Sequence, residues 1–218
     1  MKKRMICIFL GFFLLLLSGC GEKELFRRGF EQLQELSVLH VRNEQYLGDN
    51  FGDLKLLTVR NEWRNGEDFY WEGDDGTKYL SYGERRWTIE PQQHTQWKQQ
   101  SYPIEAHSKW WNNHEPETFL EGTVSVRREG EYIVLEQNLD LGSANCTLSR
   151  QISTTTFYMR QSGEIARITL VTVTYNGYEI DAEDIRSVSK HEYYITPLDA
   201  AVAEEKIQAQ HQTVRPRT

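Results

Sequence analysis

Residues 57–71 read LTVRNEWRNGEDFYW, and this stretch decides the fold. Apolar and polar side chains alternate along it, which is the period of a β-strand with one buried face and one wet face. Asn65-Gly66 interrupts the alternation and is the strongest short-range signal for a hairpin turn. The stretch therefore predicts an antiparallel hairpin. Its first strand turns Leu57, Val59 and Trp63 towards the core and leaves the charged residues between them in solvent.

The alternation extends outward from this hairpin in two blocks. One antiparallel meander covers residues 38–89 and a second covers residues 124–195, with turn signals between the strands. Residues 91–121 separate the two blocks and contain three of the five prolines of the chain. In this segment we expect a loop, a short helix over residues 103–112 and a further helical turn over residues 116–120.

A helical pattern precedes the first block of strands. Phe26, Phe30 and Leu33 recur at helical spacing within residues 24–36, which predicts an amphipathic helix. Gly29 weakens this helix, but a residue without a side chain also permits close packing on a sheet.

A second helix is predicted near the end of the chain. Thr196-Pro197-Leu198-Asp199 offers a hydroxyl for the N-cap, a proline suited to the first helical position and an acid in the first turn. We expect this helix to run to about Gln210 and residues 211–218 to form a flexible tail.

Together these elements predict a single α+β domain over residues 24–210, an antiparallel sheet of about eight to ten strands with helices against one face. This order of elements resembles the half-barrel superfamily of the lipoprotein carriers LolA and LolB. The resemblance implies a strongly curved sheet packed on helices, with an apolar cavity for acyl chains. It covers the pattern of elements alone, so it assigns no individual functional residue.

The first twenty residues carry a separate signal. A basic start at residues 2–4 precedes an apolar run over residues 5–17, and Leu17-Ser18-Gly19-Cys20 follows. This arrangement resembles the signal peptide and lipobox of bacterial lipoproteins. The resemblance implies cleavage before Cys20, diacylation of its thiol and anchoring of the mature chain by its N-terminus. More than one acyl chain is enough for stable anchoring.

The alternative for the apolar run is a retained transmembrane helix. Its residues would span only about 20 Å, whereas the hydrocarbon core of a bilayer is about 30 Å thick. A cleaved signal peptide over residues 1–19 is therefore favoured, and residues 20–23 form the lipidated N-terminus and a short tether. These features predict an extracytoplasmic protein that is lipid-anchored to the bacterial cell membrane and has the membrane as a partner.

Composition limits the partners of the mature chain. Loss of Lys2, Lys3 and Arg4 with the signal peptide takes the formal net charge from −7 to −10. Such an acidic protein is not expected to bind nucleic acid. Cys146 is the only other mature cysteine, so no intramolecular disulfide is expected once Cys20 is acylated, and we expect the Cys146 side chain to be buried.

Catalytic and metal-binding motifs are missing from the sequence. His107 and His114 do not have the spacing of zinc ligands, and Asp74-Asp75 between two glycines indicates a tight turn. A nucleophile elbow and a P-loop are also missing. We therefore expect a non-enzymatic protein with no cofactor and no metal.

All six tryptophans fall between residues 63 and 111. They either belong to the core or line a concavity, with the later ones at its mouth. A dry apolar lining suits an acyl chain, whereas flat rings beside the glutamines of this region suit a glycan. The candidate ligand-binding residues are Trp63, Trp71, Trp87, Trp97, Trp110 and Trp111.

Four functions remain open at this point. The favoured one is binding of a lipid or another hydrophobic ligand in the concave face of the sheet. The alternatives are a protein-interaction or sensory lipoprotein of the cell envelope without a small-molecule ligand, and a glycan-binding module. An envelope enzyme is the least supported, because no catalytic constellation is recognisable.

The lipobox leads to a first prediction. Cys20→Ala removes the thiol that is acylated, so the variant should accumulate as uncleaved precursor and should no longer enter the detergent phase as the acylated protein does. Phase partitioning and the mass of the purified chain measure both effects. Recovery of processed variant from the detergent phase in the amount found for the unchanged chain would contradict the assignment.

Overall fold

The computed structural model describes residues 21–101, 106–143, 149–177 and 184–214. The signal peptide, Cys20 and Cys146 lie outside these described residues, so the predictions made for them remain predictions. Every helix and strand given below lies between residues 21 and 214, and a chain that begins after the signal peptide therefore contains the whole described fold. None of the described helices is long and apolar enough to cross a bilayer.

The described residues form two α-helices and eleven strands, with one helix before the strands in the sequence and the other after them. Within the described residues, helix α1 covers residues 21–35, and helix α2 covers Ala200–Val214. The strands are β1 Val38–Gly48, β2 Lys55–Asn65, β3 Asp68–Gly73, β4 Lys78–Tyr82, β5 Arg85–Glu90, β6 His94–Gln100, β7 Thr123–Glu129, β8 Tyr132–Ser143, β9 Ser149–Arg160, β10 Ile165–Asn176 and β11 Ile185–Pro197. Short 3₁₀ helices cover Phe51–Asp53, His107–Asn113 and Pro116–Phe119.

The strands form one open antiparallel sheet in the order β6-β5-β4-β3-β2-β1-β11-β10-β9-β8-β7. It consists of two meanders, β1 to β6 and β7 to β11, which meet where β1 pairs with β11. Strands β6 and β7 are the two open edges. The predicted antiparallel sheet is confirmed, with eleven strands rather than about eight to ten. One reason is β6, whose polar and glutamine-rich sequence has none of the apolar alternation that marks a strand.

The inner face of the sheet, defined as the face that packs against α1, holds the larger core. Phe26, Phe30 and Leu33 of α1 are buried there against residues of six strands, among them Phe157, whose ring centroid lies 4.9 Å from that of Phe26. Gly29 lies directly against the backbone carbonyl of Gly163 in the turn between β9 and β10. The predicted helix and its close approach to the sheet are thus both present.

The outer face, defined as the face that packs against α2, holds a smaller aromatic core. Ile207 of α2 packs on Tyr70, Leu80 and Trp87. Leu39 packs in the α1 core, whereas its neighbour His40 is paired with Trp63 on the α2 side. Because successive residues of a strand point to opposite faces, α1 and α2 cover opposite faces of the sheet. The expectation of helices on one face was wrong.

Because a helix covers each face of the sheet, the prediction of which β2 residues are buried was also wrong. Leu57 is 59 % exposed, whereas Glu62 and Arg64 are 3 % and 2 % exposed on the inner face, and Trp63 points outward. The guanidinium of Arg64 donates to the backbone carbonyl of Leu36, just after α1 ends. A buried cation at a helix C-terminus satisfies a free carbonyl and interacts favourably with the helix dipole.

The β2–β3 turn and the start of α2 each differ from the sequence prediction by a few residues. The hairpin turn is Gly66-Glu67, because Asn65 pairs with Asp68, and Gly66 has the positive φ of 63° that such a turn needs. Thr196 and Pro197 end β11 instead of starting a helix. The cap of α2 is Asp199, whose Oδ1 accepts the Ala201 N–H at 2.8 Å, and α2 continues to Val214.

The contact at Gly29 leads to a stability prediction. In Gly29→Ala the new methyl group would collide with the Gly163 carbonyl, and α1 must shift to relieve the overlap. Despite the better helix propensity of alanine, we expect a loss of about 1–3 kcal/mol in the free energy of unfolding. Urea unfolding followed by circular dichroism measures it. Gly21→Ala in the same helix, with no atom within 4 Å of the new methyl group, is the control and should not destabilise.

Candidate functional site

A cavity of about 370 Å³ lies on the inner face, across the junction of the two meanders. Its lining comes from β3, β2, β1, β11 and β10, which are neighbours in the sheet, and from the 3₁₀ helix His107–Asn113. Five strands of a flat sheet would span about 19 Å, so side chains from all five can line one small cavity because the sheet is curved there. The lining residues are Val41, Asn43, Arg60, Glu62, Trp71, Trp110, Leu170, His191 and Tyr193.

Four of the nine lining residues of the cavity carry aromatic rings. Trp71 projects from β3, and Tyr193 and His191 project from the same face of β11 with their rings stacked at 6.2 Å. The ring of Trp110 lies 5.7 Å from that of Tyr193 and covers the cavity from the side opposite the sheet. Val41 and Leu170 complete an apolar surface between the rings.

Trp110 owes its position to two glutamines that hold the segment between the meanders. The side-chain amide of Gln34 in α1 donates to the carbonyls of Trp111 and His114, at 3.1 and 2.7 Å. The fully buried amide of Gln137 in β8 donates to the carbonyls of Thr118 and Glu121, at 2.6 and 3.0 Å. These bonds satisfy carbonyls at the ends of two short helices and fix the wall over the sheet.

The polar side chains of the cavity lie on β1, β2 and β11. The Arg60 guanidinium sits 5.2 Å from the ring centre of Trp71 in a cation–π contact. Glu62, two residues further along β2, is buried. Burial raises the pKa of the Tyr193 phenol, an effect that its hydrogen bond with Asn43 partly opposes. Tyr193 therefore stays protonated at neutral pH and presents a neutral hydroxyl.

His191 is a neutral group in this setting. Burial lowers the pKa of its imidazole, and the positive charge of Arg60 acts in the same direction. A neutral imidazole is both a hydrogen-bond donor and an acceptor. The cavity thus combines aromatic walls with a small number of polar groups of different kinds, which is the usual composition of a small-molecule site.

A second cavity of about 350 Å³ adjoins the first. Arg60 and Trp71 line both cavities, so their stacked side chains form the shared wall. The ring of Tyr79 meets that of Trp71 edge-on at 4.8 Å. The remaining lining residues come from the β3–β4 connection, the end of β5 and the β5–β6 connection, and they are mostly polar: Asp75, Thr77, Glu90, Pro91, Gln92 and Gln93.

The six tryptophans named from the sequence do not come together. Trp71 and Trp110 line the first cavity, and Trp111 is fully buried in the α1 core. The other three lie under α2 on the outer face: Trp63, Trp87 and Trp97. Whether any of the six binds a ligand stays a prediction.

The separation of Trp63 from Trp71 was readable in the sequence. When a hairpin turn has two residues, each residue of the first strand pairs with a residue of the second strand whose number has the opposite parity. Paired residues point to the same face of the sheet. Two odd-numbered residues on the two strands therefore point to opposite faces. Trp63 accordingly pairs with Tyr70, and Trp71 pairs with Glu62.

Other lining residues carried no local signal. Val41 and Asn43 lie on β1, and His191 and Tyr193 lie on β11. They meet only because β1 and β11, the first and last described strands in the sequence, pair with one another. No short-range pattern in the sequence indicates this pairing. Among the described residues, no group of three or more His, Cys, Asp or Glu side chains is arranged to hold a metal ion.

Comparisons with known proteins place few limits on the chain. No family model and no curated protein matches it. A LolA superfamily protein from Nitrosomonas europaea aligns with 12% sequence identity over 80% of this chain and 94% of its own, with a TM-score of 0.31. A DUF1329 family protein from Desulfovibrio piger aligns with 13% identity over 84% of this chain and 96% of its own, with a TM-score of 0.29. Both TM-scores are too low for either likeness to carry an argument.

The half-buried imidazole of His191 leads to a pH prediction. Unfolded His191 has an ordinary pKa of about 6.5, so below that pH the unfolded state binds more protons than the folded state. The folded protein should therefore lose stability as the pH falls from about 6.5 through the lowered folded pKa. In His191→Gln this loss should be smaller. Urea unfolding of both proteins above and below that window measures the difference.

His40 serves as an internal reference in this experiment. Burial also lowers its pKa, but it is present in both proteins, so its contribution cancels. An equal loss of stability on acidification in both proteins would show that His191 is not held neutral.

Proposed function

We propose that this chain is a non-enzymatic lipoprotein of the bacterial envelope that binds a small hydrophobic ligand in the cavity of the inner face. The single observation that carries the proposal is the curved, aromatic-walled cavity formed by Trp71, Trp110 and Tyr193 across the junction of the meanders. Its volume of about 370 Å³ lies at the lower end of the range for small-molecule sites. The proposal assigns the sheet to the half-barrel class of LolA and LolB.

The apolar lining supports a hydrophobic ligand group. Val41 and Leu170 lie between three aromatic rings, and burial of an alkyl chain against such a surface contributes about 0.8 kcal/mol per methylene group. The cavity has room for a short length of chain rather than for several long chains. We therefore propose one alkyl or ring-shaped apolar group as its occupant.

The polar groups of the cavity are suited to orienting a ligand. Tyr193 is a neutral phenol engaged with Asn43, and its ring lies flat against the His191 imidazole at an interplanar angle of 12°. Groups fixed in this way orient a ligand by hydrogen bonds.

The membrane location rests on the lipobox at Cys20. Helix α1 is already formed at residue 21, the first described residue, so only a short tether would separate the acylated cysteine from the folded domain. The cavity would then be held close to a lipid surface, and a hydrophobic ligand would reach it without a long path through water.

A protein-interaction function is the second candidate, and a different surface favours it. Four large apolar side chains are exposed around the β1–β2 connection, at 47 to 59 % of their full area. They are Leu47, Phe51, Leu56 and Leu57. A cluster of this kind on a charged surface is a common feature of contact sites for other proteins.

Ligand binding can be tested with one tryptophan on each face. Trp110→Ala removes a wall of the cavity, whereas Trp97→Ala removes a half-buried tryptophan of the outer face. The chain from residue 20 onward, with Cys20→Ser, is titrated with a fluorescent fatty acid and examined for co-purified lipid by native mass spectrometry. Trp110→Ala should weaken binding about tenfold or more, and Trp97→Ala should leave it unchanged.

Trp111 is left in place in this test because its ring is fully buried in the core. Its removal would cost about 3–5 kcal/mol of stability and would obscure an effect on binding. If the unchanged domain binds no fatty acid or phospholipid, the ligand-binding proposal fails and the protein-interaction function replaces it.

A further inference from the structure

The two adjoining cavities differ in chemistry, and this difference defines a class of ligand. Resting on the proposed function, we infer that the ligand is an amphiphile with an uncharged, polyhydroxylated head group of the size of a sugar ring. Its apolar part occupies the cavity walled by Trp110 and Tyr193. Its head group occupies the second cavity, on the other side of the stacked Arg60 and Trp71 side chains.

The second cavity has the size and the surfaces for such a head group. Its volume of about 350 Å³ is enough for one small ring. Trp71 and Tyr79 meet edge-on there and present an aromatic corner. A sugar ring has an apolar face of C–H groups and a rim of hydroxyls, so it fits where an aromatic surface stands beside polar side chains.

The polar lining offers both donors and acceptors. The Oδ1 of Asp75 accepts the Thr77 N–H at 2.9 Å, which fixes the carboxylate at the edge of the cavity. Gln92 and Gln93 are exposed and carry amides that donate and accept. A hydroxyl group also donates and accepts, so a polyol can match every one of these side chains.

The charges argue against an ionic head group. Asp75 and Glu90 line the second cavity, and Arg60 is its one lining cation among the described residues. The excess of negative charge disfavours a phosphate or a carboxylate. A cationic head group would seek the face of Trp71, but the Arg60 guanidinium already lies 5.2 Å from that ring. A neutral head group is not repelled by the two carboxylates and does not compete with Arg60 for the cation–π contact.

The test compares ligands that share one chain and differ in the head group. The probes are octyl glucoside, octanol, octanoate and octyltrimethylammonium, each below the concentration at which it forms micelles. Binding to the chain from residue 20 onward, with Cys20→Ser, is measured by calorimetry and by tryptophan fluorescence. Octyl glucoside should bind about tenfold more tightly than octanol, the gain expected from one or two additional hydrogen bonds.

Paired glutamine variants locate the head group. Gln92→Ala combined with Gln93→Ala should remove about tenfold of the affinity for octyl glucoside and leave that for octanol unchanged. Gln96→Ala combined with Gln99→Ala is the matched control on β6, because both side chains are exposed and neither lines the cavity. Trp110→Ala should weaken binding of both neutral probes.

The outcomes separate this inference from the proposed function. Equal binding of all four probes, or octyl glucoside binding that is insensitive to the Gln92 and Gln93 changes, overturns the head-group assignment and leaves the hydrophobic site in place. Tighter binding of octanoate or octyltrimethylammonium than of octyl glucoside overturns it in favour of an ionic head group. If none of the probes binds, the hydrophobic site and the head-group assignment both fail.

Discussion

The pairing of β1 with β11 is the constraint on which the rest of the molecule depends. All other neighbours in the described sheet follow one another in the sequence, so each meander is built from local hairpins. The β1–β11 ladder alone joins them, through ten residue pairs from Leu39 with Pro197 to Gly48 with Val188. Forming this ladder brings together residues that are distant in the chain. The loss of chain entropy is therefore larger than for a local hairpin.

The cavity exists because of that ladder. Its polar groups come from both partners, Asn43 from β1 and His191 and Tyr193 from β11, while Arg60 comes from β2. Neither meander contains a complete lining by itself. The segment with Trp110 then closes the cavity from above, held by Gln34 of α1 and Gln137 of β8. The site is therefore a property of the assembled sheet and not of any one motif.

The sequence predicted the local elements and missed what depends on distant contacts. Helix α1, the hairpin near Gly66 and the two meanders follow from periodicity and turn chemistry. The periodicity did not predict which side chains of β2 are buried, because both faces of the sheet are covered. When α1 buries one face and α2 the other, apolar residues no longer mark the inside, and Arg64 is buried while Leu57 is exposed. The cavity was only partly predictable: Trp71 and Trp110 were named, whereas His191 and Tyr193 required the strand order.

The open edges of the sheet bear on how the protein behaves at high local concentration. An uncovered edge strand exposes backbone groups that can extend the sheet of a neighbouring copy, the first step of ordered aggregation. Here β7 ends in Arg127, Arg128 and Glu129, all exposed, and β6 carries Lys98 among glutamines. Two copies that joined edge to edge would have to strip water from these charges. The polar edges thus act as a barrier to self-association.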